Sequence, residues 1–227
     1  MNAERRVAIV TGGASGLGAA VATALAEGGR HVVVLDRQAA AGLDHEVVDL
    51  ADSAAAEQAV LAAAARGPLD AVVTAAGVDT PGRLADVPRE RWEQVVAVNL
   101  VGTAAVIRAA LPHLERHGGR IVTVASTLGM RALPEATAYC ASKFGVIGFS
   151  RALAAELAGR VGVTTLVPGG MRTAFFDGRD EQYRPGADAA LNDPADVAAA
   201  VCFALDQPPG CEVRELVVAP ATEPSWP

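Results

Sequence analysis

Residues 6–18 read RVAIVTGGASGLG. The first six form a nearly continuous β-branched run, the pattern of a parallel strand covered on both faces. The segment at 11–18, TGGASGLG, follows, with Gly12, Gly16 and Gly18 fitting T-G-x-x-x-G-x-G. A helix-length, Ala-rich stretch over 16–28 comes next. Strand, glycine turn and helix in that order put free backbone N–H groups at a helix N-terminus, where the helix dipole favours an anion. A turn this tight, approached this closely by a pyrophosphate, requires glycine. The loop, with Ser15 and Leu17 between its glycines, is the candidate nucleotide site.

The same alternation continues outward. Short apolar runs at 31–36, 45–49, 70–74, 119–125, 161–167 and 214–219 read as further strands. Helix-length stretches fall at about 53–66, 90–115, 137–158 and 193–206, the last opening Asn-Asp-Pro-Ala-Asp with proline in its first turn. Strand–helix alternation over the whole length predicts an α/β fold: one doubly wound, Rossmann-type parallel sheet of about seven strands, forming a single domain over 1–227. Only about ten residues separate the strand ending at Asp36 from the next, too few for a full crossover helix, so a loop or single turn is expected there. The segment 172–192 has no clear period, and the tail 220–227 is Pro-rich.

Composition bounds the chemistry. The chain has 227 residues, long enough for one buried core. Hydrophobic residues make up 51% and aromatics 4%, so that core is built from Ala, Val and Leu. A net charge of −7 argues against a nucleic-acid surface, which needs a basic patch. Cys140, Cys202 and Cys211 are too few and scattered for a disulfide framework, and His31, His45, His113 and His117 show no metal-ligand grouping, so no metal is expected. The N-terminal apolar run is too short for a signal peptide or a membrane span. The expectation is a soluble cytoplasmic protein without nucleic-acid or membrane partners.

Asp36 ends the second strand, about twenty residues past the glycine loop. A carboxylate there can accept hydrogen bonds from both adenine-ribose hydroxyls and repels a 2′-phosphate, which favours NAD over NADP. Arg37 beside it works the other way, and a strand-end Asp also serves simply to cap a turn. Asp49, at the end of the third strand, is similarly placed to meet the adenine. Farther on, Tyr139-Cys-Ala-Ser-Lys143 contains one of only two tyrosines and the only lysine; the other eighteen basic residues are arginine. Spacing i, i+4 on a helix puts both side chains on one face. A free phenol has a pKa near ~10, and a nearby ammonium lowers it. Such a tyrosine takes a proton from an alcohol while hydride leaves. The lysine, a compact ammonium with three donors, reaches past it to the cofactor ribose and relays a proton, which a guanidinium holds too tightly to do.

TGGASGLG, Tyr139-Cys-Ala-Ser-Lys143 and a serine thirteen residues before the tyrosine together resemble the short-chain dehydrogenase/reductase family in its compact single-domain form, over about residues 6–219. The resemblance implies further roles. Ser126 polarises the substrate oxygen. Asn99, in the middle of its helix, holds a water in the proton relay. Ala76 and Gly77, after the fourth strand, belong with the cofactor site. Pro168 and Gly169 lie near the nicotinamide, and Thr173 binds its carboxamide. Three departures stand out. Thr74-Ala75-Ala76-Gly77 replaces the family's N-[NA]-A-G, with Thr74 expected to bond backbone in its place. The helix after the second strand is nearly absent, and the last strand, RELVVAP, lacks the usual Asp-Gly-Gly ending.

For the substrate, walls are expected from Val78 and Asp79, Leu128 to Arg131, Leu133, Gly170 to Arg172 and a lid at 174–190, with Arg131 or Arg172 as candidate anion anchors. These features point to an NAD-dependent oxidoreductase acting on a small secondary alcohol or ketone. An NADPH-dependent ketoreductase and a non-catalytic nucleotide-sensing protein are the alternatives. The long helices predict a homodimer or homotetramer, because 137–158 is apolar around more of its circumference than one sheet face covers.

Overall fold

The computed structural model describes residues 5–223. Strands β1 (Val7–Thr11), β2 (His31–Asp36), β3 (Asp44–Val47), β4 (Leu69–Thr74), β5 (Arg120–Val124), β6 (Gly162–Pro168) and β7 (Glu215–Val218) form one sheet. Its order is β3-β2-β1-β4-β5-β6-β7, and every neighbouring pair is parallel. The continuous hydrophobicity of the central strands has its expected cause: β1 and β4 are buried at every position.

Helices cover both faces. α2 (Ser53–Ala64), α4 (Thr103–His117) and the C-terminal half of α5 (Thr137–Glu156) pack on Val7, Ile9, Val33, Leu35, Val72 and Ile121. α1 (Gly16–Glu27) and α6 (Pro194–Leu205) pack on Ala8, Val10, Val32, Val34, Val73 and Leu166. Alternate residues of one strand thus feed two separate cores. Each fully buried Val, Leu or Ile contributes about 1.5–3 kcal/mol. The connection from Asp36 to Asp44 contains bends and a turn and no helix, as expected from its length.

The predicted helix at 90–115 differs in detail. It is two α-helices, α3 (Arg89–Val96) and α4, joined by one π-helical stretch, Ala97–Gly102, that contains Asn99. The Asn99 side chain accepts from Val78 N–H (2.8 Å) and donates to Val78 C=O (2.9 Å) and Ser142 Oγ (3.0 Å). A single-turn π-bulge of this kind re-aims a side chain without ending the helix. By length and composition the whole rod, Arg89–His117, is apolar enough to cross a bilayer, yet half of its most apolar window is buried inside the fold.

The segment 172–192 carries two 3₁₀ turns, Ala174–Phe176 and Glu181–Tyr183. Of the Pro-rich tail, 224–227 lie outside the described residues, as do 1–4. Glu223 folds back onto the end of β6, where its carboxylate accepts from Gly170 N–H at 2.8 Å.

Candidate active site

In sequence β1 leads to β2 on one side of it, and the chain later returns to β4 on the other. At this switch point loops diverge from the C-terminal ends of the strands and leave a crevice. A cleft of about 770 Å³ lies there. It is lined at one end by Asp36, Arg37, Gln38 and Asp49 and at the other by Ser126, Tyr139 and Lys143. Between them run Gly12, Ser15, Gly16, Leu17, Gly18, Ala76, Gly77, Pro168, Gly169 and Thr173. The structure therefore brings nearly every candidate into one continuous groove. Among the catalytic and cofactor-binding candidates the exception is Asn99, which is buried beneath its wall.

The glycine loop is shaped by backbone contact. Gly12 has φ +70°, and a Cβ on it would lie 2.7 Å from Ala76 Cα. A Cβ on Gly18 would lie 2.1 Å from Gly12 O. Ser15 is the N-cap of α1 and its side chain makes no capping hydrogen bond; no acidic residue stands in the first turn. The first-turn N–H groups are left for another acceptor, an arrangement that fits a pyrophosphate. Thr11 Oγ1 accepts from Ala76 N–H at 3.1 Å and ties the end of β1 to the strand beyond. Thr74 does not play the part expected of it: its Oγ1 is buried without a hydrogen bond, and it is Thr11 that bonds the loop backbone.

At the far end of the groove Asp36 uses both carboxylate oxygens, accepting from Ala14 N–H and Gln38 N–H at 3.0 Å each. It braces the glycine loop and its own turn while lining the cleft. Asp49 lies two residues beyond β3 and accepts from Ala51 N–H at 2.9 Å. Thr173 Oγ1 accepts from Phe175 N–H (3.3 Å) and caps the first 3₁₀ turn.

Tyr139 and Lys143 share one face of α5, as their spacing predicts. Tyr139 is hydrogen-bonded side chain to side chain with Ser126, and burial pushes its phenol up to about 12 against the lowering effect of that bond. Ser126 Oγ also accepts from Leu128 N–H at 3.1 Å. The Lys143 ammonium is 4% exposed, lies 5.6 Å from the Tyr139 ring centroid and donates to Val124 C=O at 2.8 Å. Desolvation depresses it to about 8. The ammonium turns to the end of β5, the acceptor that its burial offers, and desolvation is the largest influence on the phenol. Gly77 lies against both elements: a Cβ there would stand 3.6 Å from Asn99 Oδ1 and from Lys143 Nζ, an ordinary contact. Asn99 C=O accepts from Thr103 Oγ1 at 2.9 Å, and Ser142 Oγ donates to Tyr139 C=O at 2.8 Å.

On the substrate side Val78, Asp79, Leu128, Leu133, Gly170, Met171, Phe175 and Phe176 line the cleft. Arg131 and Arg172 do not; both are exposed outside it. The arginine that faces Tyr139 is Arg179, paired with Asp79. Sequence reasoning missed Arg179, because the aperiodic segment around it carries no signal for which residue turns inward. It also missed Glu135, a non-glycine residue at φ +61°, which joins 172–192 to the rest by accepting from Tyr183 Oη at 3.0 Å.

The chain matches the family description "short chain dehydrogenase" over residues 6–184. It is 40% identical over 181 residues to D-threitol dehydrogenase of Mycolicibacterium smegmatis, covering 73% of this chain and 70% of that one. It is 36% identical to 2,5-dichloro-2,5-cyclohexadiene-1,4-diol dehydrogenase LinX of Sphingobium indicum, covering 87% and 88%. Against glycine betaine reductase ATRR of Emericella nidulans, 34% identical, 96% of this chain spans only 19% of the relative's length. Among solved structures, an actinorhodin polyketide ketoreductase variant with NADPH superposes with a TM-score of 0.85 at 30% identity, over 97% of this chain and 98% of that one. A short-chain dehydrogenase from Mycobacterium paratuberculosis bound to NAD gives 0.83 at 27%, over 94% and 96%. With the glycine loop, the parallel sheet and these relatives together, the chain belongs to the short-chain dehydrogenase family, as an oxidoreductase that acts on CH–OH or C=O groups with a nicotinamide cofactor.

Proposed function

We propose that the chain interconverts a secondary alcohol and its ketone with NAD(H) in preference to NADP(H), using Tyr139 as the general acid–base. The observation that carries this reading is the Tyr139–Ser126 hydrogen bond, backed by buried Lys143, at the end of the groove that begins at the glycine loop. When bound, the nicotinamide accepts or donates the hydride. The Tyr139 hydroxyl takes up or gives the proton at the substrate oxygen. Ser126 Oγ, already oriented by Leu128 N–H, donates to that oxygen and holds it against Tyr139. Lys143, with its affinity for the proton weakened by burial, supplies positive charge beneath the phenol and passes protons on. Asn99 holds a relay water near the π-helical stretch. Gly12, Ser15, Gly16, Leu17 and Gly18 receive the pyrophosphate, Asp36 and Asp49 the adenosine half, and Ala76, Gly77, Pro168, Gly169 and Thr173 the nicotinamide half.

Asp36 supports the NAD preference. Its carboxylate sits at the end of β2 facing the groove, where a 2′-phosphate would meet its charge. Arg37 beside it lines the same groove and favours the second reading, an NADPH-dependent ketoreductase. The enzyme works in the cytoplasm as a single domain, with 172–192 closing over the substrate. It assembles as a homodimer or homotetramer. Phe144 on α5 and Val101 on the π-helical stretch are each 46% exposed. The two elements pack closely there, since a Cβ on Gly145 would touch Leu100 at 2.7 Å. A Cβ on Gly148, one turn beyond Phe144, meets nothing within 4 Å, so a partner helix has room to approach closely.

Three measurements test this reading. Tyr139→Phe retains NADH binding and loses about 10²–10⁴-fold in kcat; near wild-type turnover on any accepted alcohol means that another group moves the proton. By fluorescence titration NADH binds more tightly than NADPH, and Asp36→Ala narrows the gap by about tenfold, the effect of removing one opposing charge at a few ångströms near the surface. Equal dissociation constants in the unmutated protein contradict the NAD assignment. Light scattering on a size-exclusion column at micromolar protein gives a dimer or tetramer mass, whereas 23.1 kDa throughout means that the Phe144 face stays in water.

A further inference from the structure

The cleft holds a charged pair that the proton transfer does not use. Arg179 Nη2 lies 3.3 Å from Asp79 Oδ2, and the side chains are only 13% and 6% exposed. Asp79 follows β4 two residues after Gly77, and Arg179 comes from 172–192. The guanidinium lies over Phe175 and Phe176, 4.5 and 4.9 Å from their ring centroids, and the Phe175 ring is 5.7 Å from that of Tyr139. Asp79 and Arg179 line the same cleft as Tyr139, and Phe175 links Arg179 to the Tyr139 ring, so the pair stands beside the reacting position.

The pair is incompletely satisfied. Arg179 Nη2 is buried and makes no hydrogen bond, its approach to Asp79 lacking the geometry for one. Asp79 Oδ1 accepts from Thr80 N–H at 2.8 Å. Desolvation disfavours the charged form of both groups. A buried ion pair that spends stability and still leaves a donor open is poorly explained as scaffolding.

We infer that Asp79 and Arg179 form a recognition subsite for a second hydroxyl on an uncharged substrate, next to the carbon being oxidised, so that the enzyme prefers vicinal diols and polyols to simple alcohols. A hydroxyl is both donor and acceptor. Nη2 itself has no exposed surface, so the hydroxyl donates to the Asp79 carboxylate and accepts from Arg179 as 172–192 shifts to admit the substrate. A simple alcohol leaves the open donor desolvated and unpaired, which a site built for hydrogen bonding penalises. A hydroxy acid brings a second negative charge against Asp79 in a water-poor cleft. The aromatic rings under Arg179 fix its plane and leave its edge to the ligand. This inference rests on the reading of the chain as an alcohol-oxidising enzyme and adds the class of alcohol.

The test uses matched substrates with NAD⁺: 2-butanol against 2,3-butanediol, cyclohexanol against 1,2-cyclohexanediol, and lactate as the anionic case. The unmutated protein gives the diols at least about tenfold higher kcat/KM than their single-hydroxyl partners. Asp79→Asn and Arg179→Met each reduce that ratio by about 10–100-fold, the range for a hydrogen bond to a charged group, while NADH fluorescence reports that the variants remain folded. Equal kcat/KM for diol and simple alcohol, preference for lactate, or an unchanged ratio in folded variants overturns the inference. If neither variant folds, the ratio in the unmutated protein decides alone. A protein that binds NADH and oxidises none of these overturns the alcohol-oxidising reading itself, and this inference with it.

Discussion

The site depends on how closely three backbones meet at the head of the sheet. The turn after β1 lies against Ala76 beyond β4, and the first turn of α1 lies against the carbonyl of Gly12. Side chains at Gly12 or Gly18 would push these segments apart by more than any flexible neighbour could absorb. Because they touch, the N-terminus of α1 opens into the crevice between β1 and β4. Thr11 Oγ1 and the Asp36 carboxylate hold the same region from two further directions. The groove along the strand ends follows from this junction.

At the other end of the groove the controlling quantity is desolvation. Burial raises the Tyr139 phenol to about 12 and lowers Lys143 to about 8. Both shifts favour the neutral form: the phenol stays protonated well above neutral pH, and the ammonium gives up its proton more readily than in water. A neutral phenol is a ready proton donor to a ketone. Its use as a base depends on positive charge arriving close by, and an oxidised nicotinamide is such a charge. Lys143, held by Val124 C=O, yields its proton more readily than an exposed lysine would.

Much of this was legible in the sequence. The apolar runs marked all seven strands; the central ones stand out because a strand buried on both faces must be apolar at nearly every position, while β3 and β7 at the edges are only partly buried. The glycine pattern marked the loop that lines the groove, and the shared face of Tyr139 and Lys143 followed from helical spacing. What escaped depends on contacts between distant segments. The π-helical stretch at Ala97–Gly102 arises where Asn99 meets Val78 and Ser142, and no local pattern encodes it. Thr11 in the place expected of Thr74 is a choice between two threonines at the ends of neighbouring strands. Arg131 and Arg172 were singled out and Arg179 was not, because 172–192 has no period by which to judge its inward side.

The most direct measurement follows the tyrosine itself. The chain has two tyrosines, so Tyr183→Phe leaves Tyr139 as the only phenol, and its ionisation can be read from ultraviolet difference absorption between pH 7 and 10.5. The account predicts no phenolate across this range in the protein alone. With saturating NAD⁺ a phenolate signal appears within it, as the cationic ring lowers the pKa by roughly two units or more. Identical titration curves with and without the nucleotide would contradict the claim that Tyr139 is a buried proton carrier tuned by cofactor charge.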